Sequence, residues 1–231
     1  MKFGIVVFPG SNCDKDMIYV LETLCKQEVV SLWHKDKDLQ NCDFIILPGG
    51  FSYGDYLRSG AIARFSNIME EVIKFANRGG YVLGVCNGFQ ILCESGLLPG
   101  TLLHNNSHKF ICKNIYLSTQ TNRSCISDKV DKKRPLCIPI AHGEGRYFAD
   151  KETLKDLNDN EQVIFRYCDK YGNITDESNP NGAVENIAGI CNASRNVFGM
   201  MPHPERASDQ ELNNIDGRFI FDSIISVLQP V

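Results

Sequence analysis

Cys86 lies in the stretch YVLGVCNGFQ, residues 81–90, where Gly84 and Gly88 flank it in a G-x-C-x-G pattern. The apolar, β-forming Tyr81–Val85 predicts a strand, and Asn87–Cys93 predicts the start of a helix. A residue at the tip of a strand-to-helix turn is held in a strained backbone conformation and left exposed. Small neighbours make that turn sterically possible. The helix that follows aims its free N–H groups and positive dipole end at the sulfur, which favours thiolate over thiol. That is the setting of a nucleophile; the plainer alternative is a buried structural cysteine, one of ten in the chain. A nucleophile needs a base, and the base needs an orienting partner. Met201-Pro-His203-Pro-Glu205 offers both. The two prolines fix an extended backbone, in which residues two apart point to the same side. Glu205 then accepts from one imidazole nitrogen and leaves the other to face Cys86, holding the tautomer as the acid does in a serine triad. The alternative is a proline-stiffened loop carrying a solvated histidine.

A tetrahedral intermediate needs N–H donors. Asn87, opening the helix after the cysteine, supplies one. Gly49-Gly50-Phe51 ends a neighbouring strand and can bring a second, from Gly50 or Phe51, although a double glycine is also an ordinary tight turn. Two further segments, Pro9–Asp14 and Ala141–Arg146, are too polar and glycine-rich to be only linkers. His142, Glu144 and Arg146 suit a charged substrate or partner. His142 is a rival base, but it lacks an acid two residues on in a proline-fixed frame. His34 reads as structural or exposed. His104, His108 and Cys112 are spaced by four, yet Asn105, Asn106 and Ser107 between them are poor helix formers, so no metal site is expected there.

These residues must be positioned by alternating elements. Lys2–Phe8, Glu28–Trp33 and Asp43–Leu47 read as strands. Asp14–Lys26 and Ser59–Ala76 read as helices, the second with Ile62, Phe65, Met69, Val72 and Ala76 on one stripe. This order implies a mostly parallel central sheet with right-handed crossovers and helices on both faces. Phe110–Ser118, Leu136–Ile140, Gln162–Cys168, Asn186–Ala193 and Val197–Met201 add an antiparallel extension, with a hairpin turn at 192–196. Lys151–Leu157 and Asp216–Leu228 are helices, and Asp169–Asn181 is a loop. In open parallel sheets ligands sit beyond the carboxyl ends of the strands, where the loop after Phe8, the Pro48–Arg58 loop and the Cys86 turn converge.

With 231 residues the expectation is one domain over 1–231. A net charge of −4 and the lack of any basic run argue against nucleic acid or an anionic membrane as partner. The apolar run near the N-terminus is too short for a signal sequence, and none reaches the ~18 residues of a membrane helix, so a cytoplasmic location is expected. There the ten cysteines are reduced thiols. No G-x-x-x-x-G-K-[ST] loop is present to hold a nucleotide.

The chain resembles the class I glutamine amidotransferases, whose nucleophile lies in G-x-C-x-G and whose base lies in H-P-E. More narrowly it is similar to the glutaminase subunits of phosphoribosylformylglycinamidine synthases. PGSNCD at 9–14, GGFSYGDYLRSGAIA at 49–63, GVCNGFQIL at 84–92, AHGEGR at 141–146 and MPHPER at 201–206 carry the likeness. The resemblance implies a flavodoxin-like α/β fold, with Cys86 as nucleophile, His203 as base and then acid, and Glu205 as orienter. It implies an oxyanion hole from the backbone of Gly50 or Phe51 and of Asn87. Gln90, Ser52, Tyr53 and Asp55 would lie near the glutamine. Arg58, His142 and Arg146 would face a partner. It further implies that glutamine is hydrolysed to glutamate and ammonia. Ammonia then passes to a large synthetase subunit that uses ATP and Mg2+ to convert formylglycinamide ribonucleotide to the amidine, with a small accessory subunit in the complex. No cofactor is expected on this chain. Two rivals remain at this point: another cysteine hydrolase of peptidase type on a similar fold, and a non-catalytic binding module.

Overall fold

Phe44-Ile-Ile-Leu47 is buried along its whole length, as a strand covered on both faces must be. The computed structural model describes residues 1–228 and builds them around one large sheet. In chain order the strands are Lys2–Val7 (β1), Glu28–Trp33 (β2), Phe44–Leu47 (β3), Tyr81–Val85 (β4), Thr101–Leu103 (β5), Ile111–Thr119 (β6), Leu136–His142 (β7), Arg146–Phe148 (β8), Val163–Cys168 (β9), Ile187–Cys191 (β10) and Val197–Met200 (β11). Nine of them form the order β2-β1-β3-β4-β11-β10-β9-β6-β7, while β5 and β8 pair separately. The pairs from β2 to β11 are parallel and those from β11 to β7 antiparallel, so the expected parallel sheet and its antiparallel extension are one continuous surface. The helices are Asp14–Ile18 (α1), Asn67–Asn77 (α2), Asn87–Glu94 (α3), Lys151–Asp159 (α4) and Arg218–Leu228 (α5). Among the described residues no helix is long and apolar enough to cross a membrane.

Two expectations are corrected, and a polar stretch between strands is ordered. The helix expected over Ser59–Ala76 begins only at Asn67. Gly60 takes a left-handed φ of 80°, and Ser66 is extended at ψ 153°. The chain from 59 to 66 is therefore turns, and Phe65, expected on the buried stripe, is exposed. The helix expected over Asp14–Lys26 is α-helical only to Ile18 and continues as a π-helix over Tyr19–Leu24. The polar stretch after β6 is not a loose linker. Asn122 Nδ2 donates to the Ser127 and Val130 carbonyls, and Ile126 and Val130 are buried. The short β5 and β8 are not visible in the sequence, because three residues are too few for a periodicity.

Candidate active site

β4 runs between β3 and β11, with Leu47 opposite Gly84 and Met200 opposite Val85. The chain segments that leave these three strand ends, Gly49–Gly50, Cys86 and His203, therefore emerge side by side. Cys86 is strained at φ 51°, ψ −106°, as expected of a residue turned out between strand and helix. A Cβ on Gly88 would sit 1.9 Å from the Leu47 carbonyl oxygen, so only glycine lets α3 start this close to β3. The expected exposure of Cys86 is not found. It is buried, because β7 lies over it, with Sγ 3.8 Å from the Ala141 carbonyl oxygen.

His203 Nδ1 and Glu205 Oε1 are 2.7 Å apart, and both side chains are buried. His203 itself is extended and its N–H donates to the Pro139 carbonyl at 2.9 Å. Pro204–Ala207, however, forms a 3-10 turn rather than the extended run expected. Burial works against a charged imidazole here. The Glu205 carboxylate and the Cys86 and Cys13 thiols outweigh it and hold His203 well above the ordinary histidine range. An imidazole held toward its protonated form has a proton to give to a leaving group. Among the described residues His203 Nε2 has no hydrogen-bond partner, so that position is open for proton transfer.

The Pro9–Asp14 segment orients the peptide that joins Gly49 to Gly50. The Gly49 carbonyl accepts from the N–H groups of Asn12 at 3.3 Å and Cys13 at 3.1 Å. In a trans peptide the C=O and N–H point in opposite directions. Pinning the Gly49 carbonyl toward this loop therefore turns the Gly50 N–H away from it, toward the pocket that Gly50 and Cys86 share. Phe51 cannot serve, since its N–H donates to the Gly10 carbonyl at 2.9 Å. The sequence alternative of Gly50 or Phe51 thus narrows to Gly50, whose φ of 149° is one that favours glycine. Asn87 contributes the first N–H of α3, which the helix cannot satisfy itself.

That pocket, about 200 Å³, is walled by Gly50, Asp55, Cys86, Gln90, His142 and Glu144. A polar network ties three sequence motifs together around it. Asn87 Oδ1 accepts from the Ser52 N–H at 3.2 Å. Asn87 Nδ2 donates to Gln90 Oε1 at 2.9 Å and Asp55 Oδ1 at 3.4 Å, and Gln90 Nε2 donates to the Glu144 carbonyl at 2.6 Å. Ser52 is thus a support for Asn87. Tyr53 turns away altogether, its hydroxyl meeting His34 Nδ1. Burial, with Glu144 adding to it against a Ser59 hydrogen bond, pushes the Asp55 carboxyl up to about 6.

His142 is buried and so does not face a partner as the sequence suggested. Its tautomer follows from Asn105. Nδ2 of that amide donates to the Lys109 and His142 carbonyls, and its Oδ1 accepts from the Gly145 N–H. Oδ1 being the acceptor, His142 Nδ1 at 3.1 Å carries the proton and Nε2 is bare. Burial and the neighbouring His203 hold it down to about 4, so it is neutral, and it lacks the acid that a rival base would need. Arg58 is exposed and paired with Glu94 at 2.7 Å, while Arg146 Nε donates to the His104 carbonyl. Arg146 is half-buried. Sequence reading missed Cys13. Its sulfur lies with a His203 nitrogen and a Glu205 oxygen in a group whose atoms are all within 4.8 Å of one another. Its motif stood out, yet nothing in the spacing separated it from the other buried cysteines.

The model of the CobB/CobQ-like glutamine amidotransferase domain matches residues 1–220. Phosphoribosylformylglycinamidine synthase subunit PurQ of Koribacter versatilis is 55% identical over 228 residues, 99% of each chain. The chain belongs to the PurQ family of glutamine amidotransferases. The PurQ subunit of Synechocystis sp. is 54% identical over 96% of this chain and 99% of its own. The structure of PurLQS from Thermotoga maritima contains a chain that superposes with a TM-score of 0.86 at 43% identity, covering 99% of both. More distantly, a glutamine amidotransferase of Thermotoga maritima shares the fold at 13% identity, with a TM-score of 0.59 over 100% of this chain and 99% of that one. The motifs on which PurQ membership could be read from sequence are those the fold gathers at the ends of β1, β3, β4, β7 and β11.

Proposed function

We propose that the chain is the glutaminase subunit of a phosphoribosylformylglycinamidine synthase, hydrolysing glutamine at Cys86 and passing ammonia to a synthetase partner. The observation that carries this reading is the buried His203–Glu205 pair set beside Cys86, in a chain of the PurQ family. Cys86 Sγ attacks the side-chain amide carbon of glutamine. The N–H groups of Gly50 and Asn87 hold the resulting oxyanion. His203 gives its proton to the departing amine, ammonia leaves, and a thioester remains. His203 then takes a proton from water as it attacks the thioester, and glutamate is released. ATP and Mg2+ would act on the partner, as the family resemblance implies. PurLQS of Thermotoga maritima, whose name joins three components, supports a synthetase partner and a small accessory subunit.

Pocket size disfavours a peptidase. The space at Cys86 is about 200 Å³ and is capped by Phe51 and Phe110, whose ring centroids are 6.4 Å apart. That suits a single amino acid. The larger cavity, about 650 Å³, lies against His203 and Glu205 but has no Cys86 in its wall, so it is not where the amide is attacked. A glutamine-analogue electrophile should label Cys86 stoichiometrically, and excess glutamine should protect it. Labelling indifferent to glutamine would favour the peptidase reading.

Asp55 supplies the carboxylate for the substrate's ammonium group. With its carboxyl near 6 it is neutral in acid and charged above. The KM for glutamine should therefore fall several-fold as pH rises from about 5 to about 7. Asp55→Asn should keep the KM high and flat over that range. A KM in the variant that still follows pH would remove Asp55 from this role.

A further inference from the structure

We infer that Cys13, His203 and Glu205 form an inhibitory site for a thiophilic divalent cation of the zinc class. One sulfur, one imidazole nitrogen and one carboxylate oxygen from these residues lie within 4.8 Å of one another, and all three side chains are buried. This is a donor set that zinc favours. The Nδ1–Cε1 edge of the imidazole and the Cys13 sulfur both border Gly49. The point where a Cβ on Gly49 would stand is 2.6 Å from His203 Cε1, 3.3 Å from Nδ1 and 3.0 Å from Cys13 Sγ. Nδ1 is also the nitrogen that Glu205 Oε1 holds at 2.7 Å. Glu205 Oε2 is buried and has no hydrogen-bond partner among the described residues, a carboxylate oxygen left over by the His203 pair. Tetrahedral zinc spaces its ligand atoms by roughly 3.3–3.8 Å, so the set closes when the Cys13 thiol moves in and the His203–Glu205 pair, 2.7 Å apart, opens, each by about 1 Å or less.

Access does not require the glutamine pocket. The pocket at Cys86 is not lined by Cys13, His203 or Glu205. The imidazole and the carboxylate instead form part of the wall of the 650 Å³ cavity, beside Asp209, Glu211 and an Asp16 that is paired with Arg206. Acidic side chains at an entrance raise the local concentration of cations. A water from this cavity completes four-coordination.

Binding replaces the Cys13 thiol proton and the proton shared by His203 Nδ1 and Glu205 Oε1, both of which go to solvent. No electrons move. With Nδ1 metallated, the neutral imidazole carries its proton on Nε2 and can no longer accept one. Glutamine still binds, but the chemical step stops. This consequence rests on the proposed role of His203 as base, whereas the binding itself does not.

Two measurements test the inference. In the complex of this chain with its synthetase, glutamine hydrolysis is followed against buffered free Zn2+. The apparent kcat should fall while the KM for glutamine stays within about twofold, and Cys13→Ser should raise the half-inhibiting Zn2+ concentration at least about tenfold. Inhibition that glutamine relieves by competition would overturn the inference. Independently of catalysis, Co2+ is added to the full chain carrying Cys86→Ala. One equivalent should give a thiolate-to-cobalt charge-transfer band. The band should vanish in Cys86→Ala/Cys13→Ser and weaken in Cys86→Ala/Glu205→Gln, a second variant that leaves Cys13 in place. No band in Cys86→Ala, or a band that survives loss of Cys13, overturns the site. A band without kinetic inhibition leaves the metal site standing and sinks the base role of His203.

Discussion

Cys86→Ala lowers glutamine-dependent amidation by the complex about a thousandfold or more, while amidation supplied with ammonium salts proceeds at the unmodified rate. The nucleophile forms the only covalent bond to the substrate, so no neighbouring group replaces it. Cys13 does not, because it does not line the pocket at Cys86. The split between nitrogen sources is the informative part. A variant that merely unfolded would lose both, since a collapsed subunit would no longer dock. Alanine keeps the Cβ at the strained φ of 51° and removes one sulfur from a buried site, so the fold survives. Adding His203→Ala to Cys86→Ala costs little further, because residues acting as one unit are not additive. The assay follows glutamate release and amidine formation in parallel. Retention of glutamine-dependent amidation in Cys86→Ala would remove this residue as nucleophile.

How much of this site is legible depends on whether a side chain's direction is set locally. β2 reads as Glu28–Trp33 and is that strand, because apolar runs bounded by turn residues carry their own limits. His203 and Glu205 pair as the sequence implies, since the prolines around them stiffen the path between two neighbouring groups. Tyr53 is expected near the substrate and points to His34 instead. Its positive φ of 55° reverses the chain locally, and no spacing rule anticipates that. The choice between Gly50 and Phe51 rests on one bond to Gly10, some forty residues earlier, and so becomes visible only after folding. Cys13 and His142 are similar cases. Each owes its place to a partner far away in sequence, His203 for Cys13 and Asn105 for His142. The helix expected from Ser59 fails for a different reason. Its apolar positions are real, but Gly60 and Ser66 interrupt the backbone that would have aligned them.

Gly88→Ala should be the most damaging single-methyl change near the site. The added Cβ would lie 1.9 Å from the Leu47 carbonyl oxygen, and both sides of that contact are backbone. No rotamer relieves it. Either α3 moves off β3 or the end of β3 bends, at a cost of about 3 kcal/mol, which lowers Tm by roughly 6–12 °C for a chain of this size. The same displacement separates the Asn87 N–H from the Gly50 N–H, because one rides on α3 and the other follows β3. Activity should then fall beyond what the lost stability accounts for, with kcat affected more than KM. Gly143→Ala is the matched control for stability. Its nearest neighbour would be a Phe110 ring carbon at 4.0 Å and its φ is not left-handed, so Tm should hardly move, within about 0.5 kcal/mol of the parent. Thermal melts of both variants, with glutamine hydrolysis measured well below either transition, separate the two effects. Equal melts for the two would mean that α3 and β3 approach less closely than the Gly88 contact requires. An unstable Gly88→Ala with normal kcat would mean that the two oxyanion donors do not depend on that approach.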